Sequence, residues 1–261
     1  LMIGFFDDAR PISAWIKLIL FSAVSLAASY LIGVIDVLPF GAGLELRLPF
    51  AIGLFGTALW VFVLVNCVNF MDGANGLAMG SVAIGLLGLA AIATDLGSAS
   101  GAAICLCCAG ALAGFLVWNV PNGALFAGDS GALFAGSVGA FASLLVMRET
   151  GLTPFVPPLL FLPLLADALL TLAWRAGRGH WLLDGHSEHV YQIALRANWT
   201  HKRVAFAYWA ATAVCVATAF AAARDPTQLS PVIVLAAMAG LAMAVSWAVR
   251  RHAVAMGIAE V

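Results

Sequence analysis

Eight apolar stretches dictate what this chain can fold into. They run over about 14–35, 50–68, 77–95, 101–118, 132–147, 154–174, 204–223 and 231–249. A helix needs roughly 20 predominantly apolar residues to cross a bilayer, and each stretch comes close to that length. Composition agrees: 63% of the 261 residues are hydrophobic and only 10% charged, against roughly half and a quarter in a soluble domain. The sequence therefore predicts an all-α fold, a polytopic transmembrane bundle of about eight spans. It forms a single integral-membrane domain over residues 1–261. A short hairpin strand is expected only in the LELRLP alternation before the second span.

The connections carry the charge, and their distribution sets the orientation. Alternate crossings place Arg10, Lys17, Arg175, Arg178, Arg196, Lys202, Arg203, Arg250 and Arg251 on one face, with all five His. Arg47, Arg148 and Arg224 fall on the other. The positive-inside rule makes the first face cytoplasmic. The net charge of −1 says nothing about partners, and no nucleic-acid partner is expected. The five cysteines lie in or at the ends of apolar runs without zinc-ligand spacing, so they read as packing residues rather than a disulfide framework. The chain opens LMIGFFDDAR, like the tail of a membrane helix, with no signal-peptide pattern, and is expected to be a fragment.

Polar residues crowd onto the cytoplasmic face. Between the second and third spans lies NCVNFMDGANGLAMG, residues 66–80, with Asn66, Asn69, Asp72 and Asn75 beside Gly73, Gly76 and Gly80. Carboxylates and carboxamides are costly near lipid, so such a cluster is a functional-site candidate or a polar surface turn. Asp7 and Asp8 sit side by side in GFFDDAR; they hold a cation between them or form a charge pair at a helix start. Asp129, in FAGDSG, is a ligand-facing acid or, with Ser130, a helix cap. Phe126 is placed to stack on a base or to anchor at the interface.

The longest polar stretch, Arg175 to Arg203, contains DGHSEHVYQ. His186 and His189 stand three apart among basic residues, which suits an anionic phosphate, a zinc pair or a plain basic loop. Asp167, inside the sixth span, faces the bundle interior as a pairing partner or a substrate contact. Acids for a metal, His and Arg for phosphate, and a membrane setting together fit phosphoryl transfer from a soluble activated donor to a lipid. A transporter or carrier of lipid-linked sugar is the competing class, but transporters put their polar sites near the bilayer midplane.

Four motifs in order, GFFDDARPIS, NCVNFMDGANGL, WNVPNGALFAGDSGALFAGSVGA and DGHSEHVYQIALRANWTHKRVA, resemble the polyprenyl-phosphate N-acetylhexosamine-1-phosphate transferases. These are glycosyltransferase family 4 enzymes of the bacterial inner membrane. The resemblance covers nearly the whole chain. It implies transfer of an N-acetylhexosamine-1-phosphate from a UDP-sugar to undecaprenyl phosphate, with release of UMP, active-site loops in the cytoplasm, and Mg²⁺ as cofactor with Mn²⁺ as a substitute. It further implies that Asp129 and Asp72 hold the metal and that Asp7 and Asp8 lie by the polyprenyl phosphate. Asn69, Asn75, Asn119 and Phe126 would form the nucleotide-sugar pocket, Phe126 against uracil, and His186 and His189 would meet donor phosphate or sugar. A homodimer is compatible with it.

HSEHVYQ looks like the subgroup that starts O-antigen or capsule chains. The phospho-N-acetylmuramoyl-pentapeptide transferases of peptidoglycan, the alternative within the family, carry a run of adjacent His there. Three departures stand out: Asn75 where an acid is frequent, Ala124 where a basic residue commonly precedes the turn, and about two N-terminal spans that the family has and this chain lacks.

Overall fold

The computed structural model describes residues 13–41, 43–181, 187–225, 227 and 229–258. Ten helices and one hairpin are found among them: α1 (Ala14–Ile32), β1 (Val37–Gly41), β2 (Leu44–Arg47), α2 (Phe50–Phe70), α3 (Leu77–Asp95), α4 (Ala99–Asn122), α5 (Gly128–Thr150), α6 (Pro157–Leu160), α7 (Leu162–Ala176), α8 (Val190–Arg196), α9 (His201–Ala223) and α10 (Leu229–Ala255). Seven of these helices are long and apolar enough to cross a membrane. The expected hairpin is present, β1 pairing antiparallel with β2 through Val37–Arg47 and Leu38–Leu46.

The stretch expected as the sixth span is broken. It forms α6 and α7, which meet at Phe161. Pro163 has no N–H to return to the carbonyl of Leu159, so the helical ladder cannot run through it. Leu164 and Leu165 both donate to the Phe161 carbonyl instead, at 3.1 Å each. The two pieces still run from end to end. Phe155, just before α6, packs on Phe40 of the hairpin, whereas Arg175, near the end of α7, bonds the Trp181 carbonyl and Glu188 at the opposite end.

The centre of the bundle is α3, packed by α4, α5 and α9 and the most buried of the long helices. Its closest approach is at Gly80, where a Cβ would stand 2.0 Å from the indole nitrogen of Trp209 on α9. The outer helices show the opposite pattern, exposing Phe55, Leu59, Leu106, Trp118, Leu241 and Trp247. An apolar exterior of this extent is a liability in water and the natural surface of a bundle solvated by lipid.

The two ends differ. At one, Arg148 bonds the Ile32 carbonyl at 2.7 Å, Arg224 pairs with Asp95, and Glu149 accepts from Ser98 and Ser100. At the other meet the start of α1, the end of α2, the turn before α5, and the starts of α8 and α9. The alternation counted along the sequence is thus the one the chain adopts, with α6 and α7 acting together as one passage.

Candidate active site

At the second of these ends a cavity of about 290 Å³ opens, lined by Asn69, Asp72, Asn75, Asn119, Phe126 and Asp129, with His201 on its wall. Its frame follows from local chemistry. The chain leaves α2 at Met71, turns through residues 72–75 and enters α3 after Gly76. Gly76 has φ +79°, in the left-handed region that favours glycine. Its N–H donates to the Asn119 side-chain oxygen at 2.6 Å, and its carbonyl accepts from the Trp209 indole at 2.9 Å. Asn119 in turn donates to the Leu125 carbonyl at 2.7 Å. One buried carboxamide therefore locks the 72–76 turn to the 123–127 turn, and α9 fastens the first of them from behind.

The acids face each other across this frame. Asp129 stands in the first turn of α5, where the helix dipole favours a negative charge. One carboxylate oxygen accepts from Asn69 Nδ2 at 3.2 Å and the other lies 3.5 Å from Lys17 Nζ of α1. Asp72 is half-buried. Burial, and then the charge of Asp129, push its carboxyl up to about 7. Asn75 donates its N–H to His201 Nδ1 at 3.1 Å. Phe126 presents a ring that is 72% exposed at the cavity mouth. Asn66, by contrast, turns back on its own helix to the Phe62 carbonyl.

His189 and the residues that follow it serve a different end. His189 is 3% exposed and outside the cavity lining. It stacks between Phe70 and Tyr191, with Nδ1 3.6 Å from Asp167. Asp167 receives the Val190 and Tyr191 N–H groups at the start of α8, together with the hydroxyls of Thr171 and Tyr208. It caps α8 from another helix and so fixes the loop. Tyr191 then reaches the Phe70 carbonyl at 3.2 Å, tying that loop to the end of α2 beside Asp72. Asp7, Asp8 and His186 lie outside the described residues.

Two groups on the site were not singled out from the sequence. Lys17 and His201 count there only as basic residues on the right face. Lys17 stands in no motif and His201 only near the end of the fourth, and the packing of α1 and α9 brings them to the 66–80 and Asp129 turns.

The donor set suits a hard cation. Mg²⁺ takes one or two carboxylates and completes its shell with water and substrate phosphate. Asp72 and Asp129 share a cavity, and the charge of one raises the proton affinity of the other. A divalent ion between them would relieve that repulsion. No group of three His, Cys, Asp or Glu converges among the described residues.

Residues 1–147 match the family described as Glycosyl transferase family 4. The chain belongs to glycosyl transferase family 4. Among its relatives, the phospho-N-acetylmuramoyl-pentapeptide-transferase of Microcystis aeruginosa is 31% identical over 186 residues, 66% of this chain and 50% of the relative. The protein of the same name from Streptococcus thermophilus is 34% identical, over 49% of this chain and 40% of its own length. That of a Geobacillus strain is 26% identical, over 80% and 67%. The chain spans about half the length of the curated relatives it matches. The match to glycosyl transferase family 4 includes the 66–80 turn and the Asp129 turn, which together line the cavity.

Proposed function

We propose that this protein transfers an N-acetylhexosamine-1-phosphate from a UDP-sugar to undecaprenyl phosphate at the cytoplasmic face of a bacterial inner membrane. UMP leaves, and the lipid-diphosphate sugar starts a cell-envelope polysaccharide. The observation that carries this reading is the pair Asp72 and Asp129 on one cavity at helix ends, flanked by three carboxamides and an exposed aromatic ring. A transporter would hold its polar groups near the midplane, on broken helices. The one broken helix here spends its acid, Asp167, on capping α8.

In the reaction an acceptor phosphate oxygen forms a bond to the β-phosphorus of the donor, and the bond to the bridging oxygen breaks toward UMP. The residues act by placement and charge, as befits phosphoryl transfer. Phe126 receives the uracil face. Asn119 holds the two turns of the nucleotide-sugar pocket at a fixed spacing, and Asn69 and Asn75 offer carboxamides to the sugar and ribose. Asp72 and Asp129 would hold Mg²⁺, which would supply charge neutralisation to the donor diphosphate. Lys17 lies next to Asp129, at the start of the helix that follows Asp7 and Asp8, and there meets the incoming acceptor phosphate.

UMP release from a panel of UDP-N-acetylhexosamines, with undecaprenyl phosphate and with or without Mg²⁺, tests this. Release with at least one such donor, dependent on Mg²⁺, is expected. Asp129→Asn should lower it about 10²- to 10³-fold, the usual loss when one element of charge stabilisation is removed. The names of the relatives favour a second reading, transfer of phospho-N-acetylmuramoyl-pentapeptide. The matching UDP-linked pentapeptide therefore belongs in the panel. Turnover of that donor alone would select the second reading, and turnover of none would reject both.

A further inference from the structure

Two cavities outside the acidic site lie end to end along the same two helices. The deeper one, about 370 Å³, is almost wholly apolar and runs between α7, α9 and α10, with Leu170, Val214, Leu241 and Val245 on its walls. The second, about 350 Å³, sits at the site end of the bundle and carries Arg178, Arg196 and Arg250 with Trp174 and His180. Along α7 and the turn beyond it, Pro163, Ala166 and Leu170 of the first are followed by Trp174 and Arg178 of the second. Along α10, Met238, Ala242 and Ser246 of the first are followed by Arg250 and Val254 of the second. Residues three or four apart share a helix face, so each helix, α7 with the turn beyond it, offers one continuous stripe that is apolar below and cationic above.

Among the described residues, the cations of the upper cavity outnumber the carboxylates that line it. Its one carboxylate among the described residues, Glu188, is engaged by Arg175 and lies 3.9 Å from His180. Arg250 is 5% exposed, yet its side chain bonds only neutral oxygens, those of Thr171, Ser246 and the Glu188 carbonyl. Arg178 stacks on Trp174 with its guanidinium carbon 3.9 Å from the ring centroid, and Arg250 approaches the same ring at 5.5 Å. Arg196 donates to the Ser187 carbonyl, its one side-chain bond among the described residues. Three guanidinium groups converge on a pocket, and no described carboxylate pairs with any of them. Guanidinium clusters of this kind take phosphate through charge-assisted, two-pronged hydrogen bonds.

We propose that the seam between α7 and α10 binds an anionic diacyl phospholipid of the bilayer, its phosphate on Arg178, Arg196 and Arg250 and its acyl chains in the apolar groove below. Basic pockets between membrane helices are suited to such headgroups. A soluble anion would leave the groove unused. The polyprenyl acceptor must bring its phosphate to Asp72 and Asp129, whose cavity shares no lining residue with either of these two. Setting the polyprenyl acceptor aside rests on the transferase reading; the arginine cluster and the groove below it do not.

Native mass spectrometry of the detergent-purified chain tests it, with phosphatidylglycerol and phosphatidylcholine of matched acyl chains as probes. Phosphatidylglycerol should be retained about tenfold better. Arg178→Gln, and separately Arg196→Gln, should each weaken its retention about fivefold, as for loss of one basic contact to an anionic lipid. Leu241→Trp should expel it by filling the groove without touching a charge. Arg178 stacks on a half-buried surface, so its replacement leaves the fold intact, and thermal unfolding of each variant without lipid checks that. Equal retention of the two lipids, or unaltered phosphatidylglycerol binding in Arg178→Gln, overturns the proposal. So does displacement by millimolar inorganic phosphate, which would make this a simple anion pocket, or by equimolar undecaprenyl phosphate, which would make it the acceptor's groove.

Discussion

Asp72 is the residue whose protonation matters most to the site. Its carboxyl is held up to about 7 by burial and by the neighbouring Asp129, whereas an unfolded chain would release that proton near the ordinary aspartate value of about 3.9. The folded state therefore binds more protons between those limits. The stability this contributes is complete below about pH 4 and is lost as pH rises through 7. Because the side chain is half-exposed, the swing should be modest, on the order of 1–2 kcal/mol. The melting temperature of wild-type protein should fall between pH 5 and pH 8, and millimolar Mg²⁺ should restore it at pH 8 by neutralising the ionised pair. In Asp72→Asn both effects should vanish; persistence of the full pH slope in that variant would assign it to another group.

Asp167 is a residue-scale case of a different kind. Its two oxygens serve four donors: the Val190 and Tyr191 amides and the Thr171 and Tyr208 hydroxyls. An asparagine has one oxygen and an N–H₂ in place of the other, so it would present donors to donors. Asp167→Ala should cost about 3–5 kcal/mol, since buried amides and hydroxyls are left without acceptors. Asp167→Asn should be impaired nearly as much, with both read by thermal unfolding. A fully stable Asp167→Asn would mean that the carboxylate is not what fixes α8.

At the scale of elements, the packing of α3 against α9 holds the 72–76 turn in place. Gly80 lets the Trp209 indole lie against the α3 backbone and reach the Gly76 carbonyl. Gly80→Ala would set a Cβ 2.0 Å from that indole nitrogen, so the helices must part. The expected loss is about 1–3 kcal/mol, the usual cost of overpacking. Because the displaced indole also frees the turn, Mg²⁺-dependent UMP release should fall further than stability alone explains. Equal loss in a control such as Gly240→Ala, where a Cβ meets nothing within 4 Å, would argue against this coupling. The break at Phe161 belongs to the same scale: Pro163 ends the helical ladder, and the offset sets Asp167 where it meets the start of α8.

The whole molecule is a bundle with two chemically distinct ends, and its orientation can be tested. The end with the acidic cavity carries Lys202 and Arg203, and the other carries Arg148 and Arg224. With the native cysteines replaced, Lys202→Cys should be protected from a membrane-impermeant thiol reagent in intact cells, and Arg224→Cys should be labelled. The reverse pattern would turn the proposed cytoplasmic site outward.

The spans other than the broken sixth, the hairpin, and the gathering of the 66–80 and Asp129 turns at one end were legible in the chain, because apolar length and charge alternation are one-dimensional properties that a bilayer converts directly into topology. The turn of residues 66–80 was legible for the same reason. Glycine and carboxamides at the junction of two apolar runs have few other uses. What the sequence could not give was the lateral arrangement of the helices. Lys17 reaches Asp129 across 112 positions of chain, and His201 reaches Asn75 across 126. His189, which shares a motif with site residues, is turned inward by Asp167. Such pairings depend on which helix lies beside which. That is decided by the close packing of small and large side chains along α3, a three-dimensional fit that leaves no periodic trace in the sequence.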